Sequence, residues 1–255
     1  MIALGISDNH DSGVCLWRDG RIIFAINEER LARRKLKGGF PYLSVEKTMA
    51  ETGIHPEEIG IIVLGSEMTP ASLLRLWDAP YDSLRRSSSS FSYLLNAYIV
   101  YQVLAHTFKV PQTLERICSE KVIRRRFRRL GIQAPVVSIE HHHAHAACAY
   151  YTSGVQDDAL IITIDAMGDA LSVTVNVGRK NAITRIFSQS GFSSISVYYS
   201  RLTEFLGFKP LVHEGKITSL ASYGKPHPRI SQIAEEQLHF VARKKAFNCK
   251  NHFLK

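Results

Sequence analysis

Residues 2–30 read IALGISDNHDSGVCLWRDGRIIFAINEER, and this stretch decides the fold. IALGIS is an apolar strand, and SDNHDSG supplies turn residues. GVCLWRDG carries the chain out again and RIIFAINEER returns, with Asp19-Gly20 as the hairpin turn between them. The chain therefore opens as strand, turn, strand, turn, strand. Working outward, LARRKLKGGF (31–40) is a basic, glycine-containing loop facing anions. A helix is predicted from Leu43 to Thr52, between Pro41 and Gly53. IGIIVLG (59–65) reads as a buried strand. The stretch from Glu67 to Ser92, with a serine run at Ser87 to Ser90, is weakly patterned and reads as an exposed connection or lid. Helices are predicted from Ser92 to Phe108 and from Arg116 to Leu130, the second stopped at Gly131.

The strand–turn pattern then repeats. PVVSI (135–139) is a strand. HHHAHAACAYYTSG is an alanine-filled helix ended by Gly154. ALIITIDAMGD, LSVTVNV and AITRIFSQ are three more strands, with a turn placed at Gly178, and aspartate stands at a turn in both meanders. Helices are predicted at Ile195 to Leu206 and at Ile230 to Ala246. The final CKNHFLK has no pattern. The segments are 1–66, strand-rich; 67–134, a helical and loop insertion; 135–229, carrying the metal and phosphate-loop motifs; and 230–255, a terminal helix and tail.

Composition bounds the answer. The chain has 255 residues, 45% of them apolar, which is ordinary for a globular protein. No run approaches the roughly 20 apolar residues of a membrane span. The start lacks a signal peptide, so a cytoplasmic location is expected. Cys15, Cys118, Cys148 and Cys249 are scattered without a CxxC, which suits free thiols. The net charge is +9, much of it in RICSEKVIRRRFRR (116–129), where Ile117, Ile123 and Phe127 are left for apolar contacts. That run is either a solvated basic helix near an anionic substrate or partner, or a nucleic-acid contact. No aromatic ladder accompanies it.

Four constellations carry chemistry. In Glu140-His141-His142-His143-Ala144-His145, His141 and His145 lie four apart and share a helix face, so both imidazoles can reach one metal ion. His142 and His143 point elsewhere, toward substrate phosphate or solvent. Asp165, ending its strand, completes a site of two histidines and one carboxylate, which suits iron, zinc or manganese without choosing among them. In the turn Asp165 to Asp169, Gly168 and Asp169 have the form of a phosphate or metal loop; an ordinary hairpin turn is the alternative. In the turn Asp8 to Gly13, His10 is either a general base or a hydrogen-bonded structural histidine, and Ser12 and Gly13 offer backbone amides to a phosphate. Arg34 and Lys35, in the cluster with Arg30, Arg33 and Lys37, suit an anionic substrate, although surface charge alone also explains them. Lys216, in Glu214-Gly215-Lys216, either neutralises phosphate oxygens or is a plain loop lysine.

The first meander is also how one half of the actin, sugar kinase and Hsp70 superfamily begins. The stretches GISDNHDSGVCLWRDGRIIFAINEERLARRK, EHHHAHAACAYYTSG, IITIDAMGD and LGFKPLVHEGKITSLASYGKP follow one another in order. In these the chain resembles the O-carbamoyltransferase family that includes nodulation carbamoyltransferases and enzymes decorating cephamycin, tobramycin and novobiocin-type antibiotics. The resemblance implies an α/β fold: an actin-like/Hsp70-like (ribonuclease H-like) lobe with mixed sheets and flanking helices. It also implies kinship with the proteins that make threonylcarbamoyladenosine in transfer RNA. The implied chemistry has two steps. Carbamoyl phosphate and ATP give carbamoyl adenylate and pyrophosphate; a substrate hydroxyl then attacks the carbamoyl carbon and AMP leaves. By resemblance His10 is the base of the transfer step. His141, His145 and Asp165 are ligands of a metal, usually iron. Gly168 and Asp169 lie in the nucleotide phosphate turn, and Lys216 contacts phosphate or carbamoyl. Ala166 stands where the family has glycine. Family members are about twice this length, so the second lobe and C-terminal domain are expected to be missing. The implied partners are an alcohol acceptor and either a complementing C-terminal half or a second copy; the alternatives are catalytic silence, as a remnant or nucleotide- or metal-binding module of the same fold, and a relative of the transfer RNA threonylcarbamoylation proteins.

Overall fold

A computed structural model describes residues 1–76, 90–155, 157–241 and 246–249. The chain divides into two compact units, Met1–Ala144 and His145–Lys255.

In the first unit, β1 (Ile2–Ser7), β2 (Gly13–Arg18) and β3 (Arg21–Asn27) form the antiparallel meander read from the sequence. Asp19 and Gly20 take the two consecutive positive φ values of a tight hairpin turn. Two parallel strands, β4 (Ile61–Leu64) and β5 (Val136–Ser138), extend the sheet beyond β1, giving the order β3-β2-β1-β4-β5. Three antiparallel strands followed by two parallel ones is the sheet of an actin-like, ribonuclease H-like lobe. The helices before β4 are α1 (Glu28–Ala32) and α2 (Tyr42–Thr52). Those after it are α3 (Ser72–Arg75), α4 (Ser90–Thr107) and α5 (Lys109–Arg129).

The core of this unit is apolar. Leu4, Ile6, Leu16, Ile62, Leu64 and Val136 from the sheet cluster with Val45 of α2 and with Ile123 and Phe127 of α5. Ile123 and Phe127 are fully buried, as the basic run required of them, whereas Ile117 stays exposed. The N-terminus of α2 has no side-chain cap from Pro41. The buried carboxylate of Glu28 fills that role, accepting from the amides of Leu43 (3.1 Å) and Ser44 (2.8 Å) and from the Ser44 hydroxyl (2.7 Å).

The stretch after β4 differs from its reading as an exposed connection. Met68, Thr69 and Arg75 are buried, and Arg75 forms a fork with Asp8 at the end of β1: Nε to Oδ2 is 2.8 Å and Nη2 to Oδ1 is 3.3 Å. The same guanidinium donates to the Ser66 hydroxyl at 3.0 Å and the Thr69 carbonyl at 3.2 Å. A buried charge pair needs such additional bonds, and they draw the segment inward. Residues 77–89 of the expected lid lie outside the described residues.

The second unit begins within α6 (His141–Thr152) and carries the meander β6 (Ala159–Gly168), β7 (Leu171–Arg179) and β8 (Ala182–Ser190). Its two turns also use paired positive φ values, at Asp169 and Ala170 and at Lys180 and Asn181. The second turn thus falls two residues beyond the expected Gly178. Gly178 lies within β7, where the ring of Tyr150 occupies the space a Cβ would need, 2.5 Å away.

Covered by α6, one face of this sheet holds Ile161 against Ala146 and Tyr150. The same face carries the buried polar row Thr163, Thr174 and Asn176, in which the two threonine hydroxyls are 2.7 Å apart and Asn176 donates to Thr174 at 2.9 Å. The opposite face is apolar and open: Leu160, Ile162 and Ile164 are 65%, 57% and 55% exposed.

The chain continues through α7 (Ile195–Phe205), capped by the Ser194 hydroxyl, to α8 (Glu214–Ala221) and α9 (Pro228–Gln237). The predicted helix to Ala246 stops at Gln237. Beyond it β9 (Leu238–Val241) and β10 (Ala246–Cys249) pair as a hairpin, with Phe240 against Phe247. Alternating Leu238 and Phe240 suit a strand better than a helix. Among the described residues, no helix is long and apolar enough to cross a membrane.

Candidate metal centre

The histidine run sits on the first turns of α6. Its N-terminus is tied down by Glu140, whose carboxylate accepts from the amides of His142 (2.9 Å) and His143 (3.0 Å). With its first turn fixed, the helix sets His141 and His145 one turn apart on one face. Strand β6 delivers Asp165 opposite them. Its Oδ1 accepts from the Ala166 amide at 2.6 Å, and Oδ2 lies 3.8 Å from Nε2 of His145. One donor atom from each of His141, His145 and Asp165 falls within 4.8 Å of the others.

Two imidazoles and one carboxylate form a donor set for a first-row divalent ion. Bonds of roughly 2.1 Å put neighbouring donors about 3 Å apart, so His145 and Asp165 would close by somewhat under 1 Å to share an ion. His145 is exposed, while His141 and Asp165 are half-buried, which leaves room for further ligands. His142 departs from its reading. It is completely buried, because the residue after His141 turns into the core side of the helix, and it does not face solvent.

The remaining site residues distribute between the units. In the first, His10 is exposed on the turn after β1, and its Nδ1 lies 2.7 Å from Oδ2 of Asp11. Asp11 went unnoticed in the sequence; a carboxylate adjacent to a histidine was the available signal. Ser12 is buried, and both its amide (3.1 Å) and its hydroxyl (2.9 Å) donate to the Lys37 carbonyl. It therefore ties the turn to the basic loop, and its amide is spent there rather than on an anion. Gly13 opens β2 against Asn27, and a Cβ there would lie 2.8 Å from the Ile26 carbonyl oxygen, so close strand approach explains this glycine. Arg34 and Lys35 are exposed on the loop after α1.

In the second unit, Gly168 ends β6 and the buried Asp169 begins the hairpin turn. The left-handed positions are Asp169 and Ala170, so Gly168 does not supply the turn's unusual backbone. Lys216 is exposed in the first turn of α8, with Nζ 3.0 Å from Nε2 of His213. The structure thus gathers His141, His145 and Asp165 into one cluster and sets the other predicted residues on separate turns.

A family model described as carbamoyltransferase N-terminus matches residues 2–253. The chain belongs to this family. An uncharacterized protein of Synechocystis is 29% identical over 226 residues, which cover 88% of this chain and 35% of that relative. The nodulation protein NolNO of Sinorhizobium fredii is 28% identical over 220 residues, 86% of this chain and 28% of NolNO. The chain thus spans about a third of the length of the curated relatives it matches. Among solved structures, YeaZ from Pseudomonas aeruginosa is similar with a TM-score of 0.37 and 16% identity, over 74% of this chain and 67% of that one.

Proposed function

We propose that this carbamoyltransferase-family chain is a metal- and nucleotide-binding module that serves carbamoyl transfer when completed by further sequence, in the same polypeptide or a partner. The convergence of His141, His145 and Asp165 carries the reading. These residues would hold a divalent ion, iron by family resemblance. Bound there, the ion supplies Lewis-acid polarisation of a carbonyl or phosphoryl oxygen. Glu140 positions the two histidines by fixing the first turn of α6, and Asp165 is oriented by the Ala166 amide.

The reaction served is formation of carbamoyl adenylate, in which water first splits carbamoyl phosphate to carbamate and phosphate and a carbamate oxygen then displaces pyrophosphate from ATP, followed as a second step by attack of an acceptor hydroxyl on the carbamoyl carbon. In that second step the new C–O bond forms, the bond to AMP breaks, and the hydroxyl proton goes to a base. His10 suits the base: with Asp11 accepting from Nδ1–H, Nε2 is left as the proton acceptor. Lys216, Arg34 and Lys35 would balance phosphate charge, and the turn at Gly168 and Asp169 would face the nucleotide. The open apolar face of β6–β8 is the surface we assign to the completing segment.

The test is elemental analysis of untagged protein loaded with iron, zinc or manganese. Wild type should retain about one equivalent, and the His141→Ala/His145→Ala variant none; equal retention would refute the metal centre. Carbamoyl-phosphate-dependent exchange of labelled pyrophosphate into ATP separates the roles. No exchange by this chain alone, with exchange restored by the remaining sequence, supports the module. No exchange even then favours the second reading, a silent remnant.

A further inference from the structure

The basic run that the metal centre does not use forms a cavity of its own. Lys121, Arg125 and Arg129 follow one another at four-residue steps on α5, each about 6 Å farther along the helix axis. All three are exposed, and none makes a hydrogen bond or ion pair with another described residue. They line a cavity of about 400 Å³ with Val122, Arg126, Tyr42 and Leu76; among the described residues this lining includes four cationic side chains and no carboxylate.

The floor of this cavity is rigid. Arg126 is buried; its Nη1 donates to the Tyr42 hydroxyl at 2.9 Å and its Nη2 to the Arg75 carbonyl at 2.6 Å. Its guanidinium carbon also lies 5.6 Å from the Phe40 ring centroid and 5.8 Å from that of Tyr42. A solvated basic helix would spread its charges over a convex surface. Here three like charges are stacked along one wall above an immobilised fourth, which raises the local potential for anions. The volume falls in the range of small-ligand sites, and Tyr42, Val122 and Leu76 add apolar and aromatic surface.

We infer that this cavity binds a small phosphate-bearing polyanion, a di- or triphosphate whose organic part rests on Tyr42, Val122 and Leu76. Guanidinium groups engage phosphate oxygens with paired hydrogen bonds, which a single ammonium cannot match. The site is separate from the metal residues and does not depend on the function proposed for them.

Calorimetric titration of the metal-free chain with tripolyphosphate tests it. Wild type should bind, with affinity falling as salt rises. The Arg125→Gln/Arg129→Gln variant should bind at least tenfold more weakly at an unchanged melting temperature, since both side chains are exposed. The His141→Ala/His145→Ala variant should bind as wild type does. Unaltered affinity in the double arginine variant would overturn the assignment. So would tighter, arginine-dependent binding of a single-stranded RNA, which would transfer the surface to nucleic acid.

Discussion

Replacing Arg75 with methionine tests how the turn after β1 is held. The substitution keeps much of the side chain's length and removes the guanidinium. It strands Asp8, whose side chain is 5% exposed, and removes donors to the Ser66 hydroxyl and Thr69 carbonyl. Breaking a buried ion pair by deleting one partner costs about 3–5 kcal/mol. Against a typical domain stability of about 5–15 kcal/mol, that is about a fifth or more of the total. Urea denaturation followed by tryptophan fluorescence reads the first unit, whose span includes both tryptophans, Trp17 and Trp77. With a urea slope near 2 kcal/mol per molar, the midpoint should fall by about 1.5–2.5 M. Adding Asp8→Asn to Arg75→Met removes the stranded charge, so the double variant should recover at least half of the loss. A loss below about 1 kcal/mol, or a double variant no more stable than Arg75→Met, would refute the claim that the pair anchors the turn.

Two further outcomes follow from local geometry. Glu140→Ala removes the acceptor for the His142 and His143 amides; it should cost about 1 kcal/mol in thermal stability and weaken metal retention in a metal titration, whereas Glu140→Asn, a good capping residue, should restore most of both. Gly178→Ala drives a methyl to 2.5 Å from the Tyr150 ring and should cost about 1–3 kcal/mol in chemical denaturation, a penalty that Tyr150→Leu in the same chain should partly relieve.

The parts of the fold visible in the sequence are those set by neighbours along the chain. Alternating apolar residues around Asp19-Gly20 declare the first meander, and the four-residue interval between His141 and His145 declares a shared helix face. What the sequence hides is set by distant partners. Arg75 reads as a loop cation until Asp8, 67 positions earlier, is seen beside it. Glu28 reads as a strand-end carboxylate, yet it caps a helix that starts at Tyr42. Gly178 carries the turn signal of any glycine, but Tyr150 claims its open face. Within the candidate centre, residue type and spacing were enough to name the three side chains that converge, His141, His145 and Asp165. Burial of His142 and the spending of the Ser12 amide on Lys37 depend on tertiary packing, which spacing does not encode.

The sidedness of the β6–β8 sheet makes its strand alignment an unusual competition. In an ordinary half-buried strand, a slip by one position is forbidden because it would turn the apolar side chains outward. Here the slip would turn Leu160, Ile162 and Ile164 inward beneath α6, an exchange that greasiness alone favours. The native alignment is instead held by the hydroxyl pair of Thr163 and Thr174, the amide of Asn176 and the fit of Tyr150 over Gly178. Asp165, on the same strand, keeps its position opposite His145 because a few polar contacts outweigh the alternative. Covering the outer face would remove that competition and make the placement of Asp165 far less costly to maintain.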